Sequence, residues 1–364
     1  MSNEKCGGRR EQVTASPRVS IVILNWNNWE DTLECLDSVF KVRYPAFDVV
    51  LLDNGSHNSS LSRMRGYLDA QFRRESEYVN VLSSNVQFDV IEYSMWTPSM
   101  AERSALDIER SPCPNKIALI GARSNFGFAE GNNIGIRYAL KRCSPEYILL
   151  LNNDTVVEHR LLSSLVSLGE LDSSIGMIGP KICRYIEPLE VWAVGGRINL
   201  FTGKASNKGY GTPSRDYRGV VEVDYATGCS LLVKKDLVVK VGFLDSDYFC
   251  YFEDSDWALR SRIRGFRSVI DCDTVVLHKG GGSFSTSSGG LHYYYYYRNR
   301  LLFMRKNGKW YHMGTFAIPF IFSFISTYLY NFAKKNTSVC TNLERALIDF
   351  ARGRFGCLDD GSDW

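Results

Sequence analysis

Tyr147-Ile148-Leu149-Leu150-Leu151-Asn152-Asn153-Asp154-Thr155-Val156-Val157 is an apolar run that breaks at a polar cluster, with Pro145 just upstream. A continuous run without alternation predicts a strand buried on both faces of a helix-covered parallel sheet. Asp154 then lies just past the carboxyl end of the strand, where open α/β sheets form their ligand crevice. A carboxylate there suits a cation or a phosphorylated ligand. It equally suits the cap of a following helix, and the stretch alone leaves both open.

Upstream, the β-branched run Arg18 to Leu24 stops at Asn25-Trp26-Asn27-Asn28, and Leu33, Leu36 and Phe40 follow at helical spacing. A second run, Phe47 to Leu52, ends at Asp53-Asn54-Gly55-Ser56 and completes a βαβ unit. Asp53 is placed to accept hydrogen bonds from a ribose or base, or else closes a simple Asp-Asn-Gly turn. Ser62 to Glu77 predicts a helix, whereas residues 78–115 mix Ser, Asn and Pro with isolated aromatics and form an insertion without a legible pattern. Ile117 to Ile120 resumes a strand. It leads into Ser124-Asn125-Phe126-Gly127-Phe128-Ala129-Glu130-Gly131-Asn132-Asn133-Ile134-Gly135, whose glycines permit close approach to a ligand or a packed helix. Neither a Walker loop nor a dinucleotide fingerprint is present.

Downstream of Asp154, a helix over 161–168, a strand from Ile175 to Ile182, solvent-facing loops and hairpins from Gly195 to Arg218, a strand from Tyr225 to Val233 and a helix from Lys234 to Val241 are expected. Glu253, Asp254 and Asp256 then open a helix, interleaved with Tyr248, Phe249, Tyr251, Phe252 and Trp257. Acids at a helix N-terminus gain roughly 0.3–1 kcal/mol from the macrodipole. This many acids among apolar groups also raise a pKa and suit general-base work or a cation site. The strand Ser268 to Leu277 closes on His278, a candidate metal ligand or a merely hydrogen-bonded histidine.

The 364 residues are 45% apolar, enough for a sizeable core, and basic residues exceed acids by only 3, which argues against a dedicated nucleic-acid binder. Ten scattered cysteines without a Cys-x-x-Cys pair favour reduced thiols in a cytosolic setting. Residues 1–17 lack the apolar segment of a secretory signal and are expected to be a disordered lead-in, with 357–364 a loose tail. Between these, 18–290 is expected to form one α/β domain and 291–356 a helical, membrane-associating region. Its segment Met313 to Phe332 sits at the threshold of the roughly 20 apolar residues that span a bilayer. Basic flanks and tyrosines suit a helix on the cytosolic membrane surface; a buried helix or an oligomer face is the alternative.

Taken together, Val19 to Asn27, Leu51 to Ser56, Asn125 to Asn133, Leu150 to Asp154, Ala226 to Cys229, Phe252 to Trp257, His278 and Tyr296 to Asn299 resemble glycosyltransferase family 2, in its rhamnosyltransferase-like branch, from Val19 to about Gly356. The resemblance implies a GT-A fold, a Rossmann-like, mostly parallel sheet with helices on both faces. It also implies an inverting transfer of sugar from a nucleoside-diphosphate donor, with dTDP or UDP as carrier, to a glycan or lipid-linked acceptor. By the same resemblance Asn25, Asp53, Gly127, Gly131, Asn132 and Asn153 serve the nucleotide, Asp154 and His278 hold a divalent cation, Mg or Mn, and Asp254 is the catalytic base. Glu253, Asp256 and Trp257 fall at the acceptor side, and Arg298 or Arg300 offers a guanidinium fork to phosphate. Asn152 stands where the family's metal motif has its first acid, leaving Asp154 as that motif's one carboxylate. A nucleotidyltransferase would want Arg or Lys beside the first strand, which Asn25 to Asn28 does not supply; a catalytically silent binding protein of the same fold is the further alternative.

Overall fold

The computed structural model describes residues 16–72, 88–95, 115–280 and 290–358. Most of the lead-in, much of the 78–115 insertion and the end of the tail lie outside the described residues. The strands, in chain order, are β1 (Val19–Asn25), β2 (Phe47–Asp53), β3 (Phe88–Met95), β4 (Asn115–Gly121), β5 (Tyr147–Asn152), β6 (Thr155–Val157), β7 (Ile175–Arg184), β8 (Val191–Ala193), β9 (Gly196–Asn199), β10 (Lys204–Asn207), β11 (Val220–Val223), β12 (Ser230–Lys234) and β13 (Arg267–His278).

β1 lies between β2 and β5, parallel to both, with Asn25 level with Asp53 and Leu24 level with Asn152. That register brings three strand tips to one edge. The main sheet runs β11-β13-β7-β12-β5-β1-β2-β4-β3, and only β12 and β11 along this path run against their neighbours. The fold is therefore α/β and mostly parallel. β3, inside the stretch without a sequence pattern, adds a parallel edge strand to β4.

Period-two geometry divides each central strand between two apolar layers. Val19, Ile21 and Ile23 pack with Leu36 and Val39 of the helix Trp29–Val39 and with Leu162 and Leu165 of the helix Leu161–Leu171. Val22 and Val50 face the other way, onto Ile134 and Ile136 of the helix Gly127–Arg142 and Trp257 of the helix Glu253–Ile263. In β5, Tyr147 to Leu151 are buried without exception, as a strand covered on both faces must be. Gly135 allows the helix over β1 to come close, since a Cβ there would lie 2.3 Å from Val22 Cγ1.

A third apolar cluster joins Tyr248, Phe249 and Phe252 to the helices Leu291–Asn307, Trp310–Ala333 and Thr337–Ala351. The first of these is a full helix where the sequence offers only an aromatic run followed by basic residues. Tyr294, Tyr295, Tyr297, Arg298, Asn299 and Arg300 are all buried, so its faces do not divide into apolar and polar and no amphipathic period marks it.

Candidate functional site

A cleft of about 450 Å³ opens at the carboxyl ends of β1 and β5. Leu24, Trp26, Asn54, Gly127, Asn152, Asn153, Asp154, Tyr225, Cys229, Glu253, Asp254, His278 and Tyr296 are among the residues that line it. Large, partly apolar hollows with a few convergent polar groups are the usual form of a small-molecule site.

Backbone pairing makes one wall. β6 runs antiparallel to the end of β13 with Thr155 level with His278, and Lys279 N–H donates to Asp154 O at 3.0 Å. His278 Nε2 consequently lies 3.2 Å from Asp154 Oδ1, with both side chains largely buried. Burial disfavours the imidazolium, but the neighbouring Cys229 and Asp154 favour it and raise the His278 pKa to about 11. Asn153 turns away from Asp154: its amide donates to Thr32 Oγ1 at 2.9 Å and to Asn28 O at 3.2 Å.

Asn153 thereby joins a buried polar net. Asn25 Nδ2 donates to Asp53 Oδ1 at 2.7 Å, Ser56 Oγ donates to the same oxygen at 2.6 Å, and Thr32 Oγ1 donates to Asn25 Oδ1 at 2.9 Å. Asn25 and Asp53 are fully engaged in tying strand tips together and do not line the cleft. Asn54, not singled out by the sequence reading, takes the lining position instead. Its amide donates to Asn125 Oδ1 at 2.8 Å and Gly127 O at 3.1 Å, fixing the loop before the helix Gly127–Arg142.

Gly127, at φ +74°, lets that loop touch the opposite wall, where a Cβ would fall 2.5 Å from Phe249 Cδ2. Gly131 and Asn132 lie one turn further along and do not line the cleft. Gly131 makes room for Leu24, its Cβ position being 2.8 Å from Leu24 Cδ1, and Asn132 donates to Phe128 O at 2.9 Å.

The opposite wall is a turn in an uncommon conformation. Phe249, Tyr251 and Phe252 all have positive φ (63°, 68° and 75°), where bulky L-residues rarely sit and where each costs roughly 1–3 kcal/mol. Asn299 compensates. Its buried Nδ2 donates to Tyr248 O and Cys250 O at 2.6 Å and to Tyr251 O at 3.1 Å. Arg298, stacked 5.0 Å from the centroids of Tyr294 and Tyr295, donates to Gly356 O at 2.8 Å and to Asp247 O and Tyr248 O at 3.3 Å.

Arg298 is therefore a buried brace and not a phosphate ligand. Arg300 is likewise sealed from the cleft, donating to Gly203 O and Thr202 O under Phe316 and Phe320. Guanidinium groups fit carbonyl oxygens as they fit phosphate oxygens, and here the carbonyls hold them. Asp256 and Trp257 are also structural. Asp256 receives Arg260 Nε at 2.7 Å and Asn307 Nδ2 at 2.8 Å, and Trp257 Nε1 donates to Gly242 O at 2.9 Å.

What the turn delivers to the cleft is the pair Glu253 and Asp254. Asp254, half-buried, accepts from Ser255 N–H at 2.6 Å and from Gly228 N–H at 3.2 Å; burial raises its pKa while these donors hold it down. Glu253 is buried, its Oε2 has no partner, and burial followed by the charge of Asp254 pushes its pKa to about 8. Burial pushes both carboxyls up, and Glu253, which lacks a partner on Oε2, is the one that keeps its proton at neutral pH, while backbone donors oppose the rise at Asp254. Trp26 Nε1 and His278 Nδ1 are buried without partners as well. Unsatisfied buried polar atoms are rare, and three belong to residues lining one cleft.

No family model matches the chain. It is 25% identical over 148 residues to the low-salt glycan biosynthesis hexosyltransferase Agl10 of Haloferax volcanii, covering 40% of this chain and 46% of that one. It is 26% identical over 155 residues to the rhamnosyltransferase WbbL of Escherichia coli K12, covering 39% and 56%. The chain spans about half the length of these curated relatives. Among solved structures, GalNAc-T7 with UDP, GalNAc and Mn2+ superposes with a TM-score of 0.50 at 13% identity, over 75% of this chain and 45% of that one. The chain has the GT-A fold. A mannosyltransferase from Pyrobaculum calidifontis, solved with GDP-Man and Mn2+, aligns with 94% of this chain and 88% of its own at 14% identity and a TM-score of 0.48.

Asn299→Ala removes the donor shared by three carbonyls of the turn, so a loss of about 1–3 kcal/mol in urea unfolding is expected, with Asn299→Asp no better because a carboxylate repels carbonyl oxygens. Glu253→Gln gives a pH signature. The folded acid holds its proton up to about pH 8 while the unfolded one releases it near its ordinary value, so wild-type stability falls as pH rises through that window. The glutamine variant lacks this fall, and melting curves taken from pH 5 to pH 8 are expected to converge at the acid end and separate in its favour at the other.

Proposed function

We propose that the chain moves a sugar from a nucleoside-diphosphate donor to an acceptor hydroxyl on a glycan or lipid-linked saccharide, with inversion at the anomeric carbon. The observation that carries the proposal is one cleft, at the strand carboxyl ends, that gathers the Asp154–His278 pair and Asp254, whose carboxyl accepts from two backbone donors. The names of the sequence relatives, a hexosyltransferase and a rhamnosyltransferase, support a hexose or deoxyhexose donor; UDP or dTDP is the carrier we propose.

Asp154 and His278 fit a divalent cation that displaces the imidazole proton on binding, since only neutral imidazole ligates a metal. Adjacent ligands of an octahedral ion bound at about 2.1 Å stand about 3 Å apart, close to the 3.2 Å between Nε2 and Oδ1. Among the described residues no cluster of three or more His, Cys, Asp or Glu forms a complete cage. The remaining ligands would come from the donor's diphosphate and from water. When bound, such an ion supplies Lewis-acid stabilisation to the departing diphosphate.

Asp254 does the proton work. Its Oδ2 is steadied by Gly228 N–H and its Oδ1 by Ser255, leaving lone pairs to accept the acceptor hydroxyl's proton as that oxygen attacks. A neutral Glu253 beside it offers an O–H and cannot compete as the base. One positioned base without a carboxylate nucleophile leads to a single displacement.

One feature favours a second reading, a cleft that binds a nucleotide sugar without transferring it: Asn152 stands where a second acid would strengthen the cation site. Turnover separates the two. Asp254→Asn is expected to lower metal-dependent sugar transfer or donor hydrolysis by about 10²–10⁴-fold while leaving the calorimetric affinity for the nucleoside diphosphate unchanged. Full activity in that variant removes Asp254 from the base role, and a wild-type chain that binds donor but never turns over supports the silent reading.

A further inference from the structure

The helix Trp310–Ala333 contains no Asp, Glu, Lys or Arg in 24 residues. A helix on the surface of a globular protein ordinarily turns charge toward water. This one turns Ile318, Ile321, Phe322, Ile325, Leu329 and Phe332, spaced by three and four, away from the described residues, with exposures from 49% at Ile325 to 75% at Ile318. So wide an apolar face calls for a cover.

We propose that this face docks into the interfacial layer of a lipid bilayer bearing anionic headgroups, with the helix lying in the membrane plane rather than crossing it. The inference rests on the helix alone and stands whichever ligand the cleft takes.

Charge decides the occupant. Lys309 precedes the helix and the exposed Lys334 and Lys335 follow it, so both ends are basic and nothing between them is acidic. Two copies packed through this face would set lysines against lysines, whether the helices ran parallel or antiparallel. Headgroup phosphates complement the same pattern. Trp310 and Tyr330, 86% and 64% exposed near the two ends, are the amphipathic rings that settle at headgroup level.

Packing decides the orientation. The inner face is held to the body: Tyr297 Oη lies 3.0 Å from Ser323 O and 2.8 Å from Thr327 Oγ1, and Tyr328 Oη donates to Glu344 at 2.6 Å. Arg300 lies 5.5 Å from the ring centroids of Phe316 and Phe320. A spanning helix is surrounded by lipid and would forfeit these contacts; a helix half sunk into the interface keeps them.

The test is flotation of the full chain with vesicles of phosphatidylcholine alone and of phosphatidylcholine mixed with phosphatidylglycerol. Wild type is expected to float with the mixed vesicles, to be released by alkaline carbonate, and to bind the neutral ones more weakly. The variant carrying Ile318→Glu and Phe322→Glu, both at exposed positions, is expected to keep the wild-type melting curve and lose about tenfold or more in partitioning, as expected when charge enters a buried apolar face. Failure of wild type to float, equal flotation of the variant, or a wild-type dimer in solution that the variant abolishes without any vesicle binding would each overturn the docking. Retention through carbonate would overturn the in-plane orientation.

Discussion

The amide of Asn299 bonded to the carbonyls of Tyr248, Cys250 and Tyr251 is the interaction on which the cleft depends. Three bulky residues with positive φ within four positions do not hold such a shape unaided. A buried side chain from a helix some fifty residues downstream holds it for them, and Arg298 adds a second brace. The C-terminal helices are thus part of the cleft's construction and not an appendage to it. Gly127 completes the arrangement from the other side, because the turn's Phe249 occupies the space a Cβ would need.

Two electrostatic devices then face a common hollow. Glu253 and Asp254 are adjacent carboxyls with different environments: the buried one has an oxygen without a partner and holds its proton to about pH 8, whereas the half-buried one has two backbone donors that oppose the rise burial causes. Asp154 and His278 form the other device, set side by side by the β6–β13 pairing. With Asn152 beside them in place of an acid, this pair would hold a cation with fewer fixed charges than a two-carboxylate motif provides, and the ligand's own phosphates would then complete the site.

Sequence patterns made the sheet legible because its central strands are buried on both faces and read as unbroken apolar runs. That Asp154, Asp254 and His278 stand at element ends, where the structure brings them to one cleft, was legible for a related reason, since each ends a strand or opens a helix with a sharp change of pattern. Arg298 and Arg300 were not, because a guanidinium that will bind phosphate and one that will bind carbonyls look alike in one dimension. Asn25 and Asp53 sit at the right strand tips, but the polar net they form could be seen only once the strands were in register. Asn54 was overshadowed by its acidic neighbour, and the helix Leu291–Asn307 by having no exposed face to give it a period.

The central claim is that Asp154 and His278 share a divalent cation with a nucleoside diphosphate bound in the cleft. Calorimetric titration of Mn2+ into the protein, with and without saturating UDP, tests it most directly. Weak binding of the ion alone and binding at least about tenfold tighter beside the nucleotide, a coupling of about 1.4 kcal/mol or more, with that gain lost in Asp154→Asn, is the predicted result. Nucleotide binding that ignores the metal, or a coupling that survives in Asp154→Asn, would contradict the account.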